Sequence, residues 1–188
     1  MNVLTIDIDY AFSPHISLYD DYVEGSRITY ENQRKILSNK GFAEPKINQE
    51  KFNKLVEIFK YFSTDKNFEC VDHHHEILKY LTSSNNFRIQ NIDHHHDIYY
   101  PGWHCLNVLD EGNWVYHLSK EKKIESYEWF RNKDSEDFSS TIQLNFNFLQ
   151  TNDLELKMIN PPDIIVLCSS PHWTFDTNNL LIKKLIGE

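Results

Sequence analysis

Two carboxylates and an imidazole stand one residue apart in Asp93-His94-His95-His96-Asp97, and Asp7-Ile8-Asp9 repeats that spacing with carboxylates alone. Residues one apart on an extended segment project to the same side, so Asp93, His95 and Asp97 can converge on one point. Hard oxygen combined with imidazole suits manganese, iron or zinc. A third segment, Asp72-His73-His74-His75-Glu76, has the same make-up, and six of the 10 histidines sit in the two triplets. Each cluster alone has a plain alternative: Asp7 and Asp9 as turn formers at a strand end, the His triplets as polar loops. Three clusters that each follow an apolar strand argue together for a metal pair, because carboxylates buried side by side are costly without cations.

Composition narrows the setting. The chain has 188 residues, 40% of them hydrophobic and 25% charged, enough for one domain spanning 1–188 with a real core. Nineteen Lys and Arg against 28 Asp and Glu give a formal charge of −9. That balance speaks against nucleic acid or an anionic membrane as partner and favours a cationic one. Met1 to Asp9 alternates apolar and acidic residues without the features of a signal peptide, so a cytoplasmic location is expected. No apolar run approaches the ~18–20 residues of a membrane helix. Cys70, Cys105 and Cys168 are widely spaced, which indicates free thiols rather than a disulfide framework or a Cys-rich zinc site.

The elements that must position these residues can be read from periodicity. Val3–Ile8, Phe68–Val71, Phe87–Ile92, Ile124–Phe130, Ile142–Phe146 and Ile164–Cys168 read as strands. Phe52, Leu55, Val56, Phe59 and Phe62 recur at helical spacing behind an Asn48 N-cap. Further helices are expected over Tyr30–Leu37, around Ile77, Leu78 and Leu81, from Gly112-Asn113-Trp114 to about Lys122, and over Asn178–Ile186, with a turn at Ser13-Pro14. Strands alternating with helices predict an α/β fold with a mainly parallel sheet and helices on both faces, a three-layer α/β/α arrangement. Ligands of such sheets bind beyond the carboxyl ends of the strands, where all three clusters fall.

Asp93-x-His95-x-Asp97 resembles the Asp-x-His-x-Asp motif of the arginase and agmatinase ureohydrolases, and Asp7-x-Asp9, with Pro14 beyond, looks like their Asp-x-Asp motif. Val71 to Leu78 is similar to the Glu-His-x-Glu segment of a divergent arginase-like family, which also has a Gly-Asn-Trp segment like Gly112 to Trp114. Peptide arginases, which convert arginine side chains of ribosomally made peptides to ornithine, belong to that divergent group. The similarity touches Leu4–Pro14, Val71–Pro101, Gly112–Val115 and loosely the Ser169-Ser170-Pro171 segment, and leaves Tyr30–Phe62 and most of Glu121–Leu156 unmatched. Two features depart from ordinary arginases: the Asp-x-Asp pair comes first in the chain, as if permuted, and the acid that normally follows it before proline is Ser13.

The resemblance implies an arginase/deacetylase-like fold and two Mn2+ ions. It makes His74 and Asp97 ligands of one ion, His95 and Asp9 ligands of the other, and Asp93 and Asp7 bridges. His74 rather than His73 or His75 follows from alignment with the family segment. His73, His75, His94 and His96 are expected beside the ligands or facing solvent. Asp97 is the implied proton donor to the departing amine, and His104 is a candidate relay to solvent. Glu76 is the favoured carboxylate for the guanidinium, with Glu111 and Asp176 as alternatives, while Asn113 and His172 are candidate pocket residues. Trp114 is expected either to touch substrate or to fill the core.

The reaction so implied is hydrolysis of a peptide arginine to ornithine and urea, with an arginine-containing precursor peptide as partner and the oligomeric state open. A ureohydrolase of free arginine, agmatine or another small guanidino compound uses the same metal pair. A single-zinc deacetylase-like enzyme and a non-catalytic metal-stabilised protein remain as further alternatives.

Overall fold

A computed structural model describes residues 1–13, 35, 38, 39, 41, 46–64, 67–82, 86–100, 107–138, 142–174 and 178–188, the side chains of Ser13 and His172 excepted. In chain order the elements are β1 (Asn2–Asp7), a 3-10 turn (Ile8–Ala11), β2 (Phe12–Ser13), β3 (Lys46–Ile47), α1 (Gln49–Ser63) and β4 (Phe68–Val71). A second 3-10 helix (His74–Lys79), β5 (Phe87–Ile92), α2 (Trp114–Lys120), β6 (Ile124–Phe130) and β7 (Asn147–Thr151) follow. The chain continues through a third 3-10 turn (Leu156–Met158) to β8 (Ile164–Cys168), α3 (Pro171–Thr174) and α4 (Leu180–Ile186).

Six strands form one sheet in the order β4-β8-β1-β5-β6-β7, with every neighbouring pair parallel. β2 and β3 form a separate antiparallel ribbon. β1 is central and buried on both faces: Val3, Leu4, Thr5, Ile6 and Asp7 are all buried. Alternate residues of each strand enter different cores. Leu4, Ile6, Ile165 and Leu167 join α1 and α4 in one cluster, through Phe52, Leu55, Ile58, Phe59, Phe62, Ile182 and Leu185. Val3, Ile89, Val166, Tyr127 and Trp129 join α2 and the second 3-10 helix in the other, through Trp114, Val115, Leu118 and Ile77.

The mainly parallel α/β class expected from the alternation is what the chain adopts. α1 starts where the cap was expected: the Asn48 side chain accepts from Lys51 N at 3.1 Å. Three expectations need correction. Ile142–Phe146 is not a strand; Leu144 and Phe146 pack against a core without pairing, and the pairing to β6 is made by Asn147–Thr151, where neighbouring strand contacts override local preference. The stretch around Ile77 is a 3-10 helix, long enough only to bury His74 and Ile77. Asp9 lies in a 3-10 turn rather than on an extended strand. The Tyr30–Leu37 helix, apart from Lys35, and Pro14 fall outside the described residues. Among the described residues, no helix is long and apolar enough to cross a membrane.

Asn48→Ala removes one cap and is expected to cost about 1 kcal/mol, whereas Leu55→Ala empties a fully buried position and costs about 2–5 kcal/mol. Urea unfolding of the two variants checks this ranking; equal losses would mean that α1 contributes little packing.

Candidate metal centre

Strand parity aims the site. Thr5 and Asp7 share a face with Val3, Asn91 and Asp93 share one with Phe87 and Ile89, and Cys168 shares one with Val166. All of these residues therefore leave the sheet toward α2 at the carboxyl ends of β1, β5 and β8. The backbone N of Asp93 still donates to Phe130 O at 3.2 Å, which extends the ladder one residue past β5 and holds the carboxylate in place. The second 3-10 helix brings in His74 from the end of β4.

The ligand pairs converge through turns. Asp7 Oδ1 accepts from Asp9 N at 3.0 Å, and Asp93 Oδ1 accepts from His95 N at 2.8 Å. Each first aspartate thus folds the residue two positions on back toward itself, the Asx-turn geometry. This corrects the extended-strand route to convergence while keeping its result. Asp97 completes its segment with φ 52°, a left-handed conformation that a non-glycine residue adopts only when its surroundings enforce it. Val115 N, donating to Asp97 O at 3.1 Å, is one such constraint.

Three donor groups result among the described residues, each with ligand atoms within 4.8 Å of one another: Asp9, Asp93 and His95, and His74, Asp93 and Asp97, which share Asp93, and Asp7, His74 and Cys168. His74 Nδ1 lies 2.7 Å from Asp97 Oδ2, 2.9 Å from Asp93 Oδ2 and 3.5 Å from Asp7 Oδ2, yet makes no directed hydrogen bond. His95 Nδ1 lies 2.9 Å from Asp9 Oδ2 and 3.9 Å from Asp93 Oδ1. A buried ring nitrogen without a directed bond amid three carboxylates fits a divalent cation, and the oxygen-rich set fits manganese among others.

A second set of side chains fixes the first. Thr5 Oγ1 lies 2.6 Å from His74 Nε2, which leaves Nδ1 toward the carboxylates. Trp114 Nε1 donates to Asp97 Oδ2 at 2.7 Å, Asn91 Nδ2 to Asp93 Oδ2 at 3.1 Å, and Ser170 Oγ to Asp7 Oδ2. Trp129 Nε1 donates to Asp93 O at 3.0 Å.

Electrostatics separates the four acids. Burial pushes Asp7 up to about 7, reinforced by the charge of Asp93. Burial likewise holds Asp9 and Asp97 well above the carboxylate range, with Asp7 and Asp93 adding to it for Asp9 and Asp93 for Asp97. Burial also opposes ionisation of Asp93, but the close approach and charge of His74 outweigh it and hold this carboxyl well below its ordinary range. His74 is raised despite burial because Asp97 and Asp93 surround it.

Asp7, Asp9, His74, Asp93, His95 and Asp97 are thus brought together as expected. The other candidates are placed differently. His104 and Asp176 lie outside the described residues, and His172 is in α3 with its side chain outside them. Glu76 Oε2 caps the backbone N of Asp72 and His73 at 3.1 and 3.2 Å, and its other oxygen meets Lys79. Asn113 is fully buried and ties its own loop, giving Nδ2 to Val108 O and taking Asp110 N on Oδ1. Glu111 pairs with His73 at 2.6 Å. His94 and His96 are buried rather than solvent-facing: His94 Nδ1 is 3.3 Å from Asn132 Nδ2, and His96 stacks on Tyr100.

Sequence reasoning passed over Thr5, Asn91, Ser170 and Cys168 and left Trp114 divided between core and site. For two of them a signal exists. Thr5 and Asn91 are polar residues inside apolar strands, each two positions before a ligand aspartate and therefore on its face. Ser170 has no comparable local pattern.

The raised acids and His74 bind more protons folded than unfolded, so without metal they lose their stabilising protonation as pH rises. For Asp7 the loss runs from its unfolded value of 3.8 to about 7; Asp93, lowered, acts only below that window. Thermal melting of chelator-treated protein should fall by roughly 10 °C between pH 5 and pH 8. Added Mn2+ should restore more at pH 8 than at pH 5. A flat or rising melting profile without metal would contradict this account.

Compared with known proteins, the chain matches no family model, no curated protein and no solved structure.

Proposed function

We propose that the chain is a binuclear metal-dependent hydrolase that converts arginine residues of a precursor peptide to ornithine with release of urea. The observation that carries this reading is the pair of buried donor groups sharing Asp93. A guanidinium is resonance-stabilised and permanently charged, so neutral water attacks it too slowly to be useful. Two divalent ions, manganese in this reading, supply the activated water and the electrostatic stabilisation that the reaction needs. His74 and Asp97 would hold one ion and Asp9 and His95 the other, with Asp93 and Asp7 as further oxygen donors to the pair.

The remaining work falls to the chain itself. Guanidinium and water give a protonated amine and neutral urea, so both protons of the water end on the leaving nitrogen, the first of them needed for it to depart as an amine. Asp97, held by the Trp114 indole, is the group assigned to carry that first proton. The formal charge of −9 and the local excess of carboxylates favour a cationic peptide over an anionic one. Trp173, buried with its ring centroid 4.5 Å from that of His95, fixes that imidazole beside the carboxylates.

Purified protein loaded with Mn2+ should release urea from an arginine-containing peptide, measured colorimetrically beside free arginine and agmatine. Asp93→Ala should lower the rate on the order of 10³-fold or more, equivalent to several kcal/mol of lost stabilisation. Trp114→Phe should lower it roughly 10- to 100-fold, as loss of a ligand's supporting partner does. Preference for free arginine would move the assignment to a small-molecule ureohydrolase; urea from none of the substrates would sink it.

A further inference from the structure

Cys168 closes β8, and its partner across the parallel ladder is Asp7. Both are buried and leave the sheet on the same face. The Cys168 sulfur, an Asp7 oxygen and a His74 ring nitrogen all lie within 4.8 Å of one another. A zinc ion with bonds of about 2.0–2.3 Å spaces its donors by roughly 3–4 Å, close to this arrangement. His74, 2% exposed, is the independent sign of a missing occupant, since its Nδ1 has no directed hydrogen bond.

The sulfur itself is only weakly engaged. It lies 3.5 Å from Asp72 O and 3.3 Å from Ser170 Oγ. The single hydroxyl proton of Ser170 goes to Asp7 Oδ2, so toward Cys168 this oxygen can only accept. Behind it Cys168 packs into the apolar cluster of Val71 and Val166, while in front of it stand a carboxylate, a hydroxyl and an imidazole.

We infer that Cys168 is a metal ligand that joins Asp7 and His74 on the ion at the His74 end, which then takes a soft-tolerant divalent ion such as zinc or cobalt. This rests on the metal centre proposed above and not on the guanidinium substrate. The two ends of the centre are then chemically unlike. Asp9, Asp93 and His95 offer oxygen and nitrogen, whereas the His74 end adds sulfur, which favours zinc and cobalt over manganese. As the sulfur–metal bond forms, the thiol proton leaves to solvent.

Cobalt reports thiolate ligation directly. Metal-free full-length protein titrated with Co2+ should develop visible d–d bands and a near-ultraviolet thiolate-to-cobalt charge-transfer band. The band should persist in C70S/C105S, where Cys168 is the sole cysteine, and vanish in C168S while the d–d bands remain. Zinc affinity measured by competition should fall at least 10- to 100-fold in C168S, the range that loss of even a supporting partner costs, with manganese affinity unchanged. If C168S fails to fold, the spectrum of C70S/C105S decides alone. Bound cobalt without a charge-transfer band overturns the role of Cys168 and leaves the metal centre standing. No cobalt spectrum at all overturns both.

Discussion

Asp93 sits where two sets of donors meet, and its charge is the constraint to which the rest of the site answers. One of its oxygens is 2.9 Å from His74 Nδ1 and the other accepts from His95 N at 2.8 Å. It is the acid held ionised among neighbours that burial pushes toward neutrality. Four carboxyl groups this close cannot all be charged in a low-dielectric interior without compensation. Protons supply it in part, through Asp7, Asp9 and Asp97. Cations supply it more fully, because one divalent ion offsets two of these charges while keeping every oxygen ionised.

The sheet order is what allows such a concentration. β4, β8, β1 and β5 are consecutive, so four neighbouring carboxyl ends deliver His74, Cys168, Asp7 and Asp93 to one place. From β1 the chain passes to β4 on one side and then to β5 on the other, and a crevice opens where connections diverge in this way. The apolar half of the same face anchors the polar half: Trp114 and Trp129 are fully buried, yet each gives its indole N–H to the site, one to the Asp97 carboxylate and one to the Asp93 carbonyl. Core packing and ligand orientation are therefore one set of contacts.

Sequence patterning made the parallel sheet legible because its strands are short apolar runs, and the boundaries of β4, β5, β6 and β8 coincide with those runs. It missed β7, whose pairing depends on where β6 already lies and whose Leu149 is exposed. The candidate metal ligands were legible because an Asp two positions from another donor has a local geometric meaning. For Asp7 and Asp9 the turn-forming reading and the ligand reading turn out to describe one structure, since the Asx turn is what brings the second carboxylate round. Glu76 shows the opposite case. A carboxylate that matches a family segment is occupied by backbone amides and Lys79, a contact set by the path of a 3-10 helix that composition does not reveal.

The two ends of the centre also differ in access, and this decides from which side chemistry can occur. The His74 side chain is 3% exposed and enclosed by Thr5, Trp114 and the carboxylates, while that of His95 is 11% exposed and lies against Trp173 and Tyr100. The rings of Trp173 and Tyr100 wall this end, with Trp173 itself 4% exposed. The enclosed end is better suited to holding an ion than to exchanging substrate. Of the five non-glycine residues with positive φ among the described residues, Asp97 and Ser170 belong to the His74 end, through Asp97 itself and through the Ser170 bond to Asp7. Held by these contacts and by the Trp114 indole on Asp97, that end is the more constrained of the two.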